Sequence, residues 1–388
     1  MIHFLTWLPL PYQQTLCRAL TEHYGSDFIV WFAEAEHVEF PYKSKTTIDF
    51  QNRYLSKDGY GAFFRSLWSD PHAVVILGGW RSPMTVRTLI ITTLLRVPVF
   101  IWADHPHPRN RWPIITLVRK IYLSLISKLA VGFLACGEPT RQHLISLGIK
   151  EEKTVVFPYW TDLPATWAPP LGCSNSLTGN EPLRLIAIGR VVSVKKFDVA
   201  IRAVSIANER AGGKTARLSI AGDGSERNSL EQLVRTTGCD DQVTFLGWLE
   251  AEDALREIKA ADVLVITSNF EGYSAVVLEA MAAGRPVLAS DGVIAALDRN
   301  EDNGAILFHK VGDFETLANQ IVSFAKDRAR LREASVAARA TAEKWPLSRA
   351  IEILNSQIER TEPGRQIISG KKPVHRELFL SNSSGLQS

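Results

Sequence analysis

Two carboxylates, a cationic turn and a pair of histidines are the residues whose types and spacing could do chemistry here. Glu271 and Glu279 have seven residues between them, the first on a polar turn and the second within Ala275–Ala283, a segment apolar nearly all round. A helix of that composition is buried, and an unpaired charge inside it is costly, so Glu279 needs a partner group. A nearby arginine could supply it, leaving Glu271 as a solvated loop residue. A ligand in a cleft could supply it too. Gly189 is followed by Arg190, Lys195 and Lys196. A glycine turn with cations can cradle a diphosphate, although basic turns are also common on surfaces. In Asp104-His105-Pro106-His107 the histidines could ligate a metal, but no third ligand is evident. A hydrogen-bonding histidine in a cleft is the better reading, with a turn histidine of no role as the bland one.

These groups need elements to aim them. Val263–Ile266 has the length and β-branched content of a strand buried on both faces. Ser274 then precedes a helix that ends at Gly284, before Arg285-Pro286. Leu183–Gly189 is a second such strand, feeding the cationic turn and an amphipathic helix. In the first half, Ile2–Thr6, Phe28–Phe32, Ala73–Leu77, Val99–Trp102 and Phe133–Ala135 read as strands with helical patterns between them. That alternation predicts a parallel sheet covered on both faces, with ligands beyond the carboxyl ends of its strands. Asp104–Arg111 is one of the loops at that end.

The strand–turn–helix carrying Glu271 and Glu279 resembles the E-x7-E motif of retaining glycosyltransferases of family 4, which have the GT-B fold. Gly189-Arg-Val-Val-Ser-Val-Lys-Lys-Phe-Asp198 is similar to the family's G-R-x4-K-x-F-D pattern, and Gly222-Asp-Gly-Ser225 to its G-D-G-P turn, with Ser225 in place of proline. The resemblance implies an α/β protein of two Rossmann-like domains facing across a cleft. It implies that Glu271 meets hydroxyls of a donor sugar and Glu279 the ribose of its nucleotide. Diphosphate contacts fall to Arg190 and Lys195 beside Gly189, with Lys196 as the substitute if the turn is one residue longer. Gly272, Tyr273, Ser274, Ala275 and Val276 would face donor sugar and phosphate at the helix N-terminus, whose partial positive charge suits them. Leu246 and Gly247 would lie near the base. His105, with His107 as the alternative, would reach the donor sugar. One departure is on the acceptor side, where Leu8-Pro9-Leu10-Pro11-Tyr12 stands in place of a Gly-Gly turn.

The domains expected are residues 1–165 on the acceptor side, a linker over 166–182 rich in Pro, Gly, Ser and Asn, and a nucleotide-sugar domain over 183–345. A helix over 346–360 would return to complete the first domain, and residues 361–388 read as a disordered polar tail.

With 388 residues, 46% of them hydrophobic and 22% charged, there is ample core for two domains. A net charge of +3 does not argue for nucleic acid. Cys17, Cys136, Cys173 and Cys239 form no C-x-x-C pair, which fits a reducing cytoplasm rather than a zinc site or disulfide framework. No leader pattern is visible at the N-terminus. Ser82–Trp102 and Ile114–Ala130 fail as membrane spans because basic residues or proline interrupt them. Residues 104–128 nonetheless make a basic amphipathic stretch, readable as contact with an anionic membrane or as an ordinary domain helix.

No D-x-D occurs, so the expected chemistry is metal-independent and without cofactor: transfer of a glycosyl group from a nucleotide-diphosphate sugar to a glycan or lipid-linked acceptor. A nucleotide-sugar epimerase of the same fold, or a non-catalytic nucleotide-sugar-binding subunit, are the alternatives. Release of nucleoside diphosphate only in the presence of acceptor separates transfer from both.

Overall fold

The structure is a computed structural model that describes residues 1–35, 48–80, 82–107, 113–164 and 181–369. Arg109, Arg111 and most of the expected linker lie outside these residues.

The first sheet is built from β1 (Ile2–Thr6), β2 (Phe28–Phe32), β3 (Asn52–Tyr54), β4 (Val74–Gly78), β5 (Val99–Ala103), β6 (Gly132–Ala135) and β7 (Thr154–Val156). Its order is β3-β2-β1-β4-β5-β6-β7. The second comprises β8 (Leu183–Ile188), β9 (Ala216–Ala221), β10 (Val243–Gly247), β11 (Val263–Ile266), β12 (Val287–Ser290) and β13 (Ile306–His309), in the order β10-β9-β8-β11-β12-β13. Every pairing among these strands is parallel. The central strands β1, β2, β5 and β11 are buried along their whole length, as continuous apolar runs between two helical layers require. The edge strands β3 and β7 are half-exposed and carry no such run.

In each sheet the strand order reverses once, between β1 and β4 and between β8 and β11. At such a point neighbouring strands send their connections to opposite faces and a crevice opens beyond their carboxyl ends.

Helix Arg328–Glu343 closes the second domain. After Trp345-Pro346, helix Leu347–Ile358 packs on helix Pro11–Tyr24 of the first, where the Tyr24 hydroxyl donates to Asn355 Oδ1. The expectation of a disordered tail from Thr361 needs correction, because Glu362–Ser369 is helical. The Thr361 hydroxyl accepts from the Gly364 amide at 3.0 Å, and Ile367 is buried in the main core. Two isoleucines in a polar stretch suffice to dock one short helix.

A seam joins the domains. Gly137, with φ +83°, brings its backbone so close to Asp298 that an added Cβ would lie 2.8 Å from the carboxylate carbon. Asp298 accepts the Glu138 amide at 2.7 Å and the Tyr273 hydroxyl at 2.7 Å. Tyr273 packs edge-on against Tyr159, whose hydroxyl donates to Asp104 Oδ1 at 2.9 Å.

Candidate functional site

The loops after β8 and β11 meet at the switch point of the second sheet. Asn269 donates its amide to the Val194 carbonyl at 2.8 Å. Thr267 donates its hydroxyl to the carbonyls of Lys195 and Lys196 at 3.0 and 2.8 Å. This stapling places Lys195 against Glu271: the ammonium donates to Glu271 Oε1, and both side chains are less than one-fifth exposed. Ser268 donates to the same oxygen at 2.8 Å. Lys195 also lies against the Gly189 turn, 3.3 Å from where a Cβ would sit. Gly189, Lys195 and Glu271 therefore line one spot.

The cradle is built from close backbone approaches. Gly222 (φ +137°) presses on the Gly189 carbonyl and Gly224 (φ +158°) on that of Val191, with no room for a Cβ at either. Gly222→Ala is expected to push the cradle open, cutting affinity for a nucleotide sugar at least tenfold with a loss of stability of about 1–3 kcal/mol. Titration calorimetry and thermal melting measure the two. Unchanged affinity would disconnect this packing from the site. Lys196 adopts the left-handed conformation, φ 52° and ψ 41°, at the turn into helix Phe197–Ala211. It lines a groove of about 330 Å³ with Phe197, Arg202 and Leu230. Arg190 is half-buried on the same turn as Gly189. Leu246 and Gly247 end β10 beside this turn, where the Gly222 amide donates to the Gly247 carbonyl at 2.7 Å.

Helix Ala275–Ala282 begins at Ser274, whose side chain caps no amide, so the first-turn N–H groups stay available to an anion. Ala275 and Val276 are half-buried there. Tyr273 is different: its side chain is buried in the seam with Asp298, leaving only its backbone to face a ligand. Glu279 is half-buried, and no described residue hydrogen-bonds or ion-pairs with its carboxylate. Desolvation pushes this carboxyl up to about 7. No arginine neutralises it, so the demand for a partner is unmet within the described residues.

The first domain enters through Asp104–His107. A Cβ on Gly272 would lie 3.2 Å from the His105 carbonyl, so this loop abuts the Glu271 turn. His105 and His107 both pack near Phe270, with ring centroids at 6.1 and 4.6 Å. Burial first, then His143 and Arg119, pull His105 down to about 4, so it is a neutral imidazole at physiological pH. Its Nδ1 is buried without a hydrogen-bond partner. Among the described residues no group of three His, Cys, Asp or Glu could hold a metal ion.

Ser268 escapes a reading that follows charged groups. The pair of polar residues Thr267-Ser268 just past the buried strand β11 is the signal that would have found it. Asp298 has no such signal, because its partners come from elements far apart in sequence.

Residues 182–327 match the family model described as Glycosyl transferases group 1. An uncharacterized glycosyltransferase of Methanocaldococcus jannaschii is 30% identical over 201 residues, 47% of this chain and 51% of that one. The lipopolysaccharide core biosynthesis glycosyltransferase LpsD of Rhizobium meliloti is 33% identical over 161 residues, 41% of this chain and 44% of its own. The chain thus spans about half the length of these curated relatives. The crystal structure of Anabaena HepE in complex with UDP is similar at a TM-score of 0.74 and 16% identity, covering 93% of this chain and 100% of that one. That likeness shows the fold, two Rossmann-like domains in the GT-B arrangement.

Proposed function

We propose, from the match of residues 182–327 to the family model of the glycosyl transferases group 1, that this protein transfers a glycosyl group from a nucleotide-diphosphate sugar to a glycan or lipid-linked acceptor, with retention and without a metal. The observation that carries the reading is the meeting, at one switch point, of the Lys195–Glu271 pair, an uncapped helix N-terminus and an unpartnered Glu279.

In the reaction the bond from the anomeric carbon to the diphosphate oxygen breaks, and negative charge grows on the departing diphosphate. Lys195, Arg190 and the first-turn amides of helix 275–282 supply the opposing charge, already oriented before the reaction begins. Glu271 accepts hydrogen bonds from the sugar hydroxyls, and Glu279 from the ribose. The acceptor hydroxyl attacks from the face the diphosphate leaves, and its proton passes to the leaving phosphate, so no separate base is needed. Neutral His105 offers a hydrogen bond from the opposite wall. The lipopolysaccharide-core relative supports a cell-surface glycan as the setting. The buried thiols of Cys17, Cys136 and Cys239 accord with a reducing, cytoplasmic one.

UDP-sugars are the donors to test first, because the HepE complex holds UDP. A matching donor is expected to raise the melting temperature. Nucleoside diphosphate is expected to appear only when acceptor is added, at a rate that survives a chelator, and proton NMR is expected to show the donor's anomeric configuration in the product. Chelator-sensitive turnover or an inverted product would overturn the mechanism, and sugar interconversion without acceptor would replace transfer by epimerisation.

A further inference from the structure

Helices Pro83–Leu95 and Pro113–Leu129 follow β4 and β5, and both cross over toward the same edge of the first sheet. Right-handed crossovers in one direction put them on the same face, where they touch. A helix at a protein surface ordinarily turns aliphatic side chains inward and hydroxyls outward. Helix 83–95 departs from this: Met84 and Leu89 go inward, but three threonines go in with them and three aliphatics are left outside. Thr85, Thr88 and Thr92 are buried, while Val86, Ile90 and Leu94 are exposed, Leu94 to 72%. These three fall four residues apart and form one outward row. Helix 113–129 carries a parallel row in Leu117, Ile121, Leu125 and Leu129, each exposed by between 47% and 57%, with Val118 beside it at 60%. Single exposed aliphatics are ordinary, but two adjoining rows make a contiguous apolar face that marks an interaction site.

The charge around this face names the partner. From Pro71 to Gly137 the chain has eight Lys and Arg against one carboxylate, Asp104. Arg87, Lys120 and Lys128 are exposed on the two helices themselves. No helix among the described residues is long and apolar enough to cross a membrane. We propose that this two-helix face seats the protein on an anionic lipid surface, with the aliphatic rows in the acyl boundary and the cations at the phosphates. A second copy is the poorer occupant: a two-fold contact would set the same cations against each other without carboxylates to pair them.

The seat is wired to the cleft. Arg119 stacks over Trp80 at 5.0 Å and donates to His143 Nε2 at 3.4 Å, and the His143 ring lies 5.1 Å from that of His105. On the transferase reading, which this consequence rests on, the seated face holds the Asp104–His107 wall near headgroup level, and the acceptor is carried on a lipid.

The test is sedimentation of the full chain with vesicles of phosphatidylcholine alone or with roughly a third phosphatidylglycerol. Binding is expected only to the anionic vesicles and is expected to fall with salt. The triple variant Ile90→Gln/Leu94→Gln/Leu125→Gln is expected to lose at least tenfold in partition, and Lys120→Gln/Lys128→Gln roughly twenty-five-fold, at about fivefold per lysine. Both keep the wild-type melting temperature, since every changed side chain is exposed. No pelleting of the wild type at low ionic strength, equal pelleting by the triple variant, or a solution dimer that the triple variant dissolves would each overturn the proposal. Thermal shift with UDP on the same samples reads donor binding without vesicles, so failure of the seat and failure of the transferase reading are separately visible.

Discussion

Lys195→Ala lowers turnover at saturating donor by about a hundred- to a thousandfold, with circular dichroism unchanged. The magnitude is that of removing one preorganised group aimed at developing charge. The reason lies in how Lys195 is held. Its ammonium is fixed between the Gly189 turn and Glu271, and its backbone is pinned by Thr267. Almost no reorganisation is then needed when a diphosphate arrives and charge moves onto it. Glu271→Ala has a comparable effect by a different route: it removes the acceptor for the sugar hydroxyls and also releases Lys195 from its position. Because the two side chains touch, their losses are not additive. The double variant is expected to be no more than about tenfold slower than the worse single one. Measurement of kcat for the four proteins decides the matter. Two independent, multiplying losses would mean that Lys195 and Glu271 do not act as one unit, and full activity in either single variant would remove that residue from the mechanism.

The parts of this arrangement that the sequence discloses are those where one short segment holds both the scaffold and the chemistry. β11, the Glu271 turn and helix 275–282 are consecutive, and burial of an apolar strand and helix is written in their composition. β3 and β7 are not legible in this way, because edge strands are half-exposed and borrow their pairing from a neighbour. Tyr273 shows a further limit. Its place in the E-x7-E stretch suggests a donor contact, yet Asp298, Gly137 and Tyr159 take its side chain into the domain seam. The inward threonines and outward aliphatics of helix 83–95 are equally hidden, since its sequence is apolar or threonine nearly throughout. Only the sheet beneath decides that Thr88 goes in and Ile90 out.

Glu279→Gln is expected to stabilise the unliganded protein at about pH 8 and weaken its hold on the donor. The carboxyl is raised from an ordinary 4.5 to about 7, with desolvation as the cause. Below the lower value it is protonated folded or unfolded, and it costs nothing. As pH rises between the two values the unfolded chain ionises first, so stability falls, and above about 7 the whole penalty is present. The shift corresponds to at most about 3–4 kcal/mol, reduced by whatever water reaches a half-buried group. The glutamine variant lacks this penalty, so its melting temperature should exceed that of wild type by a few degrees at about pH 8 and match it at about pH 4. Ribose hydroxyls donating to the carboxylate favour its ionised form, so donor binding to wild type releases a proton and tightens as pH rises toward 8. A nucleotide sugar is the right titrant, because its diester phosphates do not titrate in this range. Calorimetry in buffers of different ionisation heat should show proton release for wild type near neutral pH and none for the variant. A variant less stable than wild type at about pH 8, or one that keeps the wild-type proton release, would show that Glu279 is not the group waiting for the ribose.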